Sequence, residues 1–436
     1  MSGFKHSVKV PTQYRRLAAI IKQSLEGKKS LKSSFFEEKH ARKDVLQKTL
    51  NFYIDNRTDI DYAIEQTKIL EDNPRFRKEL CIVLVTELLR TQQLNGNSKP
   101  VSIVREYYDK LQTAFGGSGH QQQSNKLKEK DKPRYVRVNT NVLSTEQVFE
   151  MLAADGWRKK DSNFETYPEY LEAISSLEED EYLVDMHMDD LLVFHSKWKR
   201  YWAMHDFVEQ RKLMLQDKGT GLVVELLHPP PGSTVLDMCA APGMKTVKLS
   251  NIMNNTGKIY AVERDFDRYR VLCQYVESAK ATIVEPIHAD ALALDVKQYE
   301  DVEYVLVDPS CSGNGMQNRM SLKSEEIDPA RLKKLAGLQI KMLVHAMKSF
   351  PNVKRVAYST CSLNEAENEE VVQRCLQICP EFKMLSGKKA LRNKWIRVGN
   401  PEFKNIGKNC IYSRPDEDFT DGIFMALFEK RPDGDE

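Results

Sequence analysis

At 436 residues, 41% hydrophobic and 29% charged, the chain is long enough for two or three domains with large cores and has the composition of a soluble globular protein. No apolar run reaches the roughly 18 residues of a membrane span and the N-terminus has no apolar secretory core, which argues against a membrane or secreted protein. The net charge of +2 excludes no class of partner, and eight cysteines without a secretory signal or a Cys-x-x-Cys pair predict reduced thiols in cytosol or nucleus and no structural zinc.

Charge is segregated along the chain. Residues 1–50 hold twelve Lys/Arg against four Asp/Glu, whereas residues 161–190 hold eleven acids and no Lys or Arg. Residues 1–115 read as a helical region, with apolar residues three and four apart in Asp44–Tyr53, Asp59–Leu70 and Arg77–Leu94. Its basic face suits RNA or plain solvation equally. Arg15–Ile21 is too short an amphipathic patch for a transit peptide. Gly116, Gly117 and Gly119 open a linker over 116–132, in which Lys126, Lys128, Lys130 and Lys132 suit phosphates. Tyr135 and Arg137 alternate with Val136 and Val138, which predicts a half-exposed strand presenting Arg134, Tyr135 and Arg137 as a basic-aromatic RNA-binding face. Ser144 and Gln147 have capping-box spacing for a helix to about Ala154. The acidic stretch that follows ends in a strand, Leu191–Phe194, and carries no functional assignment.

From about His205 the pattern changes to strands alternating with helices. Strands are predicted at Val235–Asp237, Lys258–Arg264, Ile283–Ala289, Val302–Val307 and Arg355–Ser359, with helices at Asp267–Ser278, Arg331–Lys348 and Glu365–Ile378. This alternation implies an α/β fold with a doubly wound, mostly parallel, Rossmann-like sheet. A late strand, Gly422–Phe428, arrives without a crossover helix and is expected to be an antiparallel insertion. In such a sheet the functional groups gather at the carboxyl ends of strands, here Asp237, Glu263, Asp290, Asp308 and Cys361.

The loop after the first of these strands runs Asp237-Met238-Cys239-Ala240-Ala241-Pro242-Gly243-Met244-Lys245-Thr246. Small residues let a ligand lie against the backbone, and the next helix points its free N–H groups at the turn. Neither the P-loop spacing nor Gly-x-Gly-x-x-Gly is present, so a nucleoside cofactor without a pyrophosphate is expected. Glu263, one βαβ step further on, is placed to take a ribose diol, Arg268 to steady the cofactor edge, and Asp290 to contact the adenine amino group.

Cys311 and Cys361 follow two neighbouring strands and should share one rim facing the cofactor. A thiol of this kind suits methylation of cytosine at carbon 5, because a thiolate adding to carbon 6 makes carbon 5 nucleophilic. A nearby helix N-terminus would favour the thiolate. Asp308 is placed to bond the N3/N4 edge of the ring. Cys375 and Cys379, one helical turn apart, are expected to be core residues rather than metal ligands.

The loop Asp237–Thr246 closely resembles the S-adenosylmethionine loop of the Sun-family RNA cytosine-5 methyltransferases. Asp308-Pro-Ser-Cys-Ser-Gly-Asn-Gly315 resembles the family's fourth motif, Tyr358-Ser-Thr-Cys-Ser-Leu363 its sixth, and Asp421–Phe428 its closing strand. The resemblance implies that 133–204 form a small α+β accessory RNA-binding domain and that 205–430 form the methyltransferase domain. It implies that Cys239, Ala240, Ala241, Pro242, Gly243, Met244 and Lys245 wrap the methionine portion of S-adenosylmethionine. It makes Cys361 the nucleophile and gives Cys311 a part in product release. It also implies an RNA substrate, with transfer RNA or a non-catalytic role in ribosome assembly as rivals to ribosomal RNA. Ser310 stands where a Pro usually precedes the fourth-motif cysteine, and Gln216–Thr220 depart from the usual run. The Asp-Pro-Ser-Cys form is similar to the eukaryotic fifth-member branch acting on large-subunit ribosomal RNA, hence nuclear and nucleolar.

Overall fold

The computed structural model describes all residues except 1–8, 27–30, 32–34, 36–37, 39–42, 118–131, 317–327 and 433–436. The chain divides into two units, 1–128 with 318–326, and 129–317 with 327–436.

The first unit is helical, with α1 (Thr12–Leu25), α2 (Lys43–Asp55), α3 (Arg57–Gln66), α4 (Lys78–Thr91), α5 (Lys99–Glu106) and α6 (Tyr108–Gly117). Every residue from Leu80 to Leu88 in α4 is buried, so α4 is the central helix of this unit. Glu87 is tolerated there because its carboxylate accepts from Thr49 Oγ1 at 2.7 Å and from Arg90 at 2.8 Å.

In the second unit the accessory sheet is built from β1 (Arg134–Val138), β2 (Arg158–Lys159), β3 (Glu181–Val184), β4 (Leu191–Phe194) and β5 (Leu213–Met214), in the order β2-β3-β4-β1-β5. Helix α7 (Thr145–Ala154) opens on the expected capping box, with Ser144 Oγ accepting from Gln147 N–H and Gln147 Oε1 accepting from Ser144 N–H. Helix α8 (Tyr167–Ser175), inside the acidic stretch, has a capping box of its own from Thr166 and Glu169.

Strand β1 corrects the sequence reading. Tyr135 and Arg137 are buried, not a half-exposed basic-aromatic face, and Arg134 is half-buried. The reason is that β1 is an inner strand with both faces covered. Val136 and Val138 pack beneath α7, while Tyr135 faces the α/β domain that follows. The Arg137 guanidinium donates to Gln216, Asn251 and the sulfur of Met214, with Asp190 at 3.8 Å. Lys132 is also a structural cation rather than a phosphate contact, since it pairs with Asp421 at 2.8 Å and with Asp217. Lys126, Lys128 and Lys130 lie outside the described residues.

Two acids of the stretch 161–190 lock the accessory sheet to the α/β domain that follows it. Asp185 meets Lys218 at 2.7 Å in a fully buried pair, with the Lys218 ammonium 4.0 Å from the Tyr170 ring centroid. Asp190 meets Lys248 at 2.6 Å. Burial opposes ionisation of Asp185, but Lys218 more than offsets it and holds the carboxyl below its ordinary value.

The α/β domain begins with α9 (Lys218–Leu227). It continues through β6 (Thr234–Asp237), α10 (Met244–Ile252), β7 (Lys258–Glu263), α11 (Phe266–Ser278), β8 (Val284–His288) and β9 (Tyr304–Val307). It closes with α12 (Pro329–Lys348), β10 (Arg355–Thr360), α13 (Glu369–Ile378), β11 (Phe382–Leu385), β12 (Ile411–Ser413) and β13 (Ile423–Lys430). The sheet order is β11-β13-β10-β9-β6-β7-β8, with β12 on β13. Strands β8, β7, β6, β9 and β10 are parallel, and β13 inserts antiparallel beside β10. Chain order reverses between β6 and β9, which puts a crevice at their carboxyl ends. All residues of β9 are buried, as a strand covered by helices on both faces requires. Among the described residues no helix is long and apolar enough to cross a membrane.

Candidate active site

The carboxyl end of β6 leads into a tight loop. The Gly243 N–H donates to Ala240 C=O at 2.8 Å, and Gly243 has φ +109°, a left-handed value that a side chain would strain. The Ala241–Pro242 bond is cis. Helix α10 starts at Met244, directly after the turn. Asp237 is buried beneath the loop, where its Oδ2 accepts from Thr246 Oγ1 at 2.8 Å. Burial raises its carboxyl to about 6. Cys239 is half-buried, and burial pushes its thiol up.

Glu263 ends β7 and is buried. Its Oε1 accepts from Asp265 N–H at 2.9 Å and its Oε2 meets Arg268 at 3.2 Å. Arg268 also donates to Ala241 C=O at 2.6 Å, so one guanidinium ties the β7 carboxylate to the β6 loop. Asp290, after β8, is more open and accepts from Leu292 N–H at 3.0 Å. Asp308, after β9, takes Lys245 Nζ on one oxygen and Ser359 Oγ on the other, each at 2.6 Å. Burial works against the charge on Lys245, but Asp308, then Cys361 and Asp237, favour it and keep its pKa above the ordinary value.

These groups fit an adenosine cofactor with a positive centre. Among the described residues each Glu263 oxygen has a single protein donor, which leaves lone pairs for a ribose diol. The acids Glu263, Asp290 and Asp308 at successive strand ends would repel a pyrophosphate and attract a sulfonium.

The two thiols meet on the rim of β9 and β10. Cys311 Sγ and Cys361 Sγ are 2.9 Å apart, and either can be the donor. The bond to Cys361, together with burial, pushes the Cys311 thiol well above its ordinary value. No long helix begins at Cys361; a 3-10 turn, Glu365–Glu367, precedes α13.

Two buried side chains that the sequence reading did not single out hold Cys311 from both sides. Glu367 Oε1 accepts from Ser312 N–H at 2.9 Å, and Gln339 Nε2 donates to Ser310 C=O at 3.1 Å and to Glu367 Oε1 at 3.0 Å. The two cysteine loops are also laced directly. Gly315 N–H donates to Cys361 C=O at 3.0 Å, and Ser312 Oγ meets Ser362 Oγ at 3.0 Å. A Cβ on Gly315 would lie 2.2 Å from the Gly422 carbonyl oxygen, so only glycine lets β13 close on this turn. Asn368, also unflagged, donates to Ser362 C=O at 2.9 Å and accepts from Thr360 Oγ1 at 2.6 Å. A Glu-Asn pair six and seven residues past a candidate nucleophile is the available signal.

Cys375 and Cys379 are buried, with thiols pushed up by burial to about 12 and about 11. Among the described residues no group of three or more His, Cys, Asp or Glu could hold a metal ion.

Residues 224–429 match the family model described as 16S rRNA methyltransferase RsmB/F. Residues 132–209 match the ferredoxin-like domain of NOL1/NOP2/Sun domain family member 5. The chain is 52% identical over 437 residues to the 28S rRNA (cytosine-C(5))-methyltransferase of Drosophila melanogaster, covering 100% of both chains. It is 32% identical to the 26S rRNA (cytosine-C(5))-methyltransferase nsun-5 of Caenorhabditis elegans, covering 96% of this chain and 98% of that one. A solved methyltransferase homologue from Pyrococcus horikoshii shares the fold, with a TM-score of 0.53, 22% identity, and 80% of this chain and 98% of that one covered.

Proposed function

The chain belongs to the NOL1/NOP2/Sun family of RNA cytosine-5 methyltransferases, and from that premise we propose that it methylates carbon 5 of a cytosine in large-subunit ribosomal RNA through a cysteine adduct. The observation that carries the mechanism is the pair of sulfurs 2.9 Å apart beside Asp308 at the carboxyl ends of adjacent strands.

S-adenosylmethionine supplies the methyl group on a sulfonium. Glu263 holds its ribose, Arg268 fixes Glu263 to the loop, Asp290 contacts the adenine, and the backbone from Cys239 to Lys245 surrounds the methionine portion. Cys361 adds to carbon 6 of the target cytosine, which has to be unpaired or flipped out to reach the crevice. Lys245 lies close enough to favour the Cys361 thiolate. Asp308, oriented by Lys245 and Ser359, bonds the N3/N4 edge as charge develops on the ring. After carbon 5 is methylated, solvent water takes its proton, and the electrons of that C–H bond re-form the 5,6 double bond as the carbon–sulfur bond to Cys361 breaks. Cys311, which keeps its proton at rest, donates toward the departing Cys361 sulfur and assists release.

A ribosomal substrate supports a nuclear, nucleolar location for the enzyme. Labelled substrate RNA incubated with each cysteine variant tests the reading on one denaturing gel. Cys361→Ala should form neither adduct nor product, while Cys311→Ala should accumulate enzyme bound to RNA. An adduct in the Cys361→Ala lane reverses the two roles, and the absence of adduct from both lanes removes the covalent mechanism. Bisulfite sequencing of large-subunit RNA with and without the protein locates the base.

A further inference from the structure

The central strands of the accessory sheet, β1 and β4, present no open face on which to receive RNA. One face of β1 and β4 is covered by α7 and Trp202, and the other by α9. Its accessible recognition feature lies elsewhere, in the segment His195–Lys212 that links β4 to β5. A cleft of about 710 Å³ there is lined by Trp198, Tyr201, His205 and Phe207 with Lys197 and Arg200.

The four rings form a continuous edge-to-face ladder. Centroid distances are 5.4 Å from Trp198 to Tyr201, 5.2 Å from Tyr201 to His205, and 5.0 Å from His205 to Phe207. A cation stands at each end of the ladder, with Lys197 Nζ 5.6 Å from the Trp198 centroid and paired with Glu179, and Lys212 Nζ 5.0 Å from the Phe207 centroid. The segment holds five Lys/Arg (Lys197, Lys199, Arg200, Arg211, Lys212) against two acids (Asp206, Glu209). Tyr201 is 39% exposed and Met204 73%, a large apolar exposure for a domain that is otherwise well packed. Behind the ladder, Trp157 and Trp202 lie 5.3 Å from Trp198 and 5.1 Å from Tyr201, so the rings are backed rather than free to swing.

One exposed ring, Tyr201, set among half-buried rings with Arg200 on the cleft wall and Lys212 at the far end, suits one ligand chemistry, unpaired nucleotides whose bases lie against the ring while phosphates reach the cations. A duplex hides its base faces and cannot use such a surface. Asp155 and Asp206 are also on the cleft wall, and a carboxylate accepts from a base amino group but repels a phosphate.

We propose that this cleft binds a single-stranded stretch of the RNA substrate by base stacking, outside the catalytic crevice. This rests on the reading of the protein as an RNA methyltransferase, and the test separates the two. Full-length protein is titrated with a short fluorescein-labelled single-stranded RNA and with the same strand annealed to its complement. Turnover is measured on a substrate RNA. The parent should prefer the single strand. Tyr201→Ala should weaken single-strand binding by about tenfold or more, as loss of one stacked base does, and raise KM with kcat unchanged. Tyr201→Phe keeps the ring and should bind as the parent does. Lys212→Ala, a surface change, should weaken binding and flatten its salt dependence.

Parent-like affinity and KM in both Tyr201→Ala and Lys212→Ala, with RNA still methylated, overturns the cleft and leaves the reaction standing. It would mark the rings as a contact for protein instead. Equal loss in Tyr201→Phe and Tyr201→Ala overturns stacking. A parent that neither binds nor methylates RNA overturns the functional reading, and this inference with it.

Discussion

Asp237 holds a charge where the fold least wants one, and the cost can be worked out. The side chain is buried beneath the loop, and desolvation raises its carboxyl from 3.8 to about 6, with Asp308 adding to the rise and Thr246, Lys245 and the Cys239 N–H opposing it. An acid whose folded pKa lies above its unfolded value binds more protons in the native state. Native stability therefore falls as pH climbs from about 4 through about 6, and the whole penalty is present above that window. At about 1.36 kcal/mol per unit, the separation from 3.8 to about 6 is worth about 3 kcal/mol. Asp237→Asn keeps an oxygen to accept from Thr246 and removes the charge. It should stabilise the second unit by about 2–3 kcal/mol near pH 8, with the gain shrinking toward zero near pH 4. Denaturant unfolding followed by tryptophan emission reads this unit alone, because all four tryptophans (Trp157, Trp198, Trp202 and Trp395) lie in it. A variant less stable than the parent by the same amount at every pH would refute the reasoning, since it would mean the carboxylate is held by bonds worth more than its desolvation.

Two further variants separate cofactor binding from cysteine placement. Glu263→Ala removes the charged acceptor assigned to the ribose, an interaction worth roughly 1.5–3 kcal/mol, and should weaken S-adenosylmethionine binding by about tenfold or more; unchanged affinity by calorimetry removes Glu263 from the site. Glu367→Ala removes the acceptor of the Ser312 N–H and of one of the two Gln339 Nε2 hydrogens, at about 1–3 kcal/mol for each buried donor bond lost, so it should lower the unfolding midpoint and slow adduct release. Glu367→Gln keeps one acceptor oxygen and should recover part of both, and equal loss in the two variants would show that the carboxylate does more than hold the turn.

The parallel sheet was legible because its signals are local: short β-branched runs, each closed by a polar residue and followed by a helical period. The order of the strands follows from chain connectivity. Strand β1 was misread because alternation of period two has two explanations. Tyr135 and Arg137 alternate with valines, which ordinarily means one wet face. Here the second face is buried against another domain, and the groups that make a buried Arg137 tolerable, Gln216, Asn251 and Asp190, are far along the chain. The acidic stretch was opaque for the same reason. The partners of Asp185 and Asp190, Lys218 and Lys248, belong to the other domain, and a pairing across that distance leaves no periodic trace.

At the site, the sequence exposed the groups that sit on strand ends and hid those that act through them. Asp308, Cys311 and Cys361 could be placed because β9 and β10 had to be neighbours. What makes Cys311 differ from an ordinary core thiol is not visible in its motif. Its backbone is gripped on one side by Gln339 from the long helix α12 and on the other by Glu367 from the turn before α13, and these two side chains bond each other. A hydrogen-bonded pair on separate elements cannot be inferred from spacing, yet it fixes where the sulfur points. Ser310 shows the consequence. A substitution beside the cysteine is absorbed because Gln339 bonds the residue's carbonyl, and a carbonyl is present whichever side chain stands there. The departure from the family motif at this position therefore leaves the placement of Cys311 against Cys361 intact.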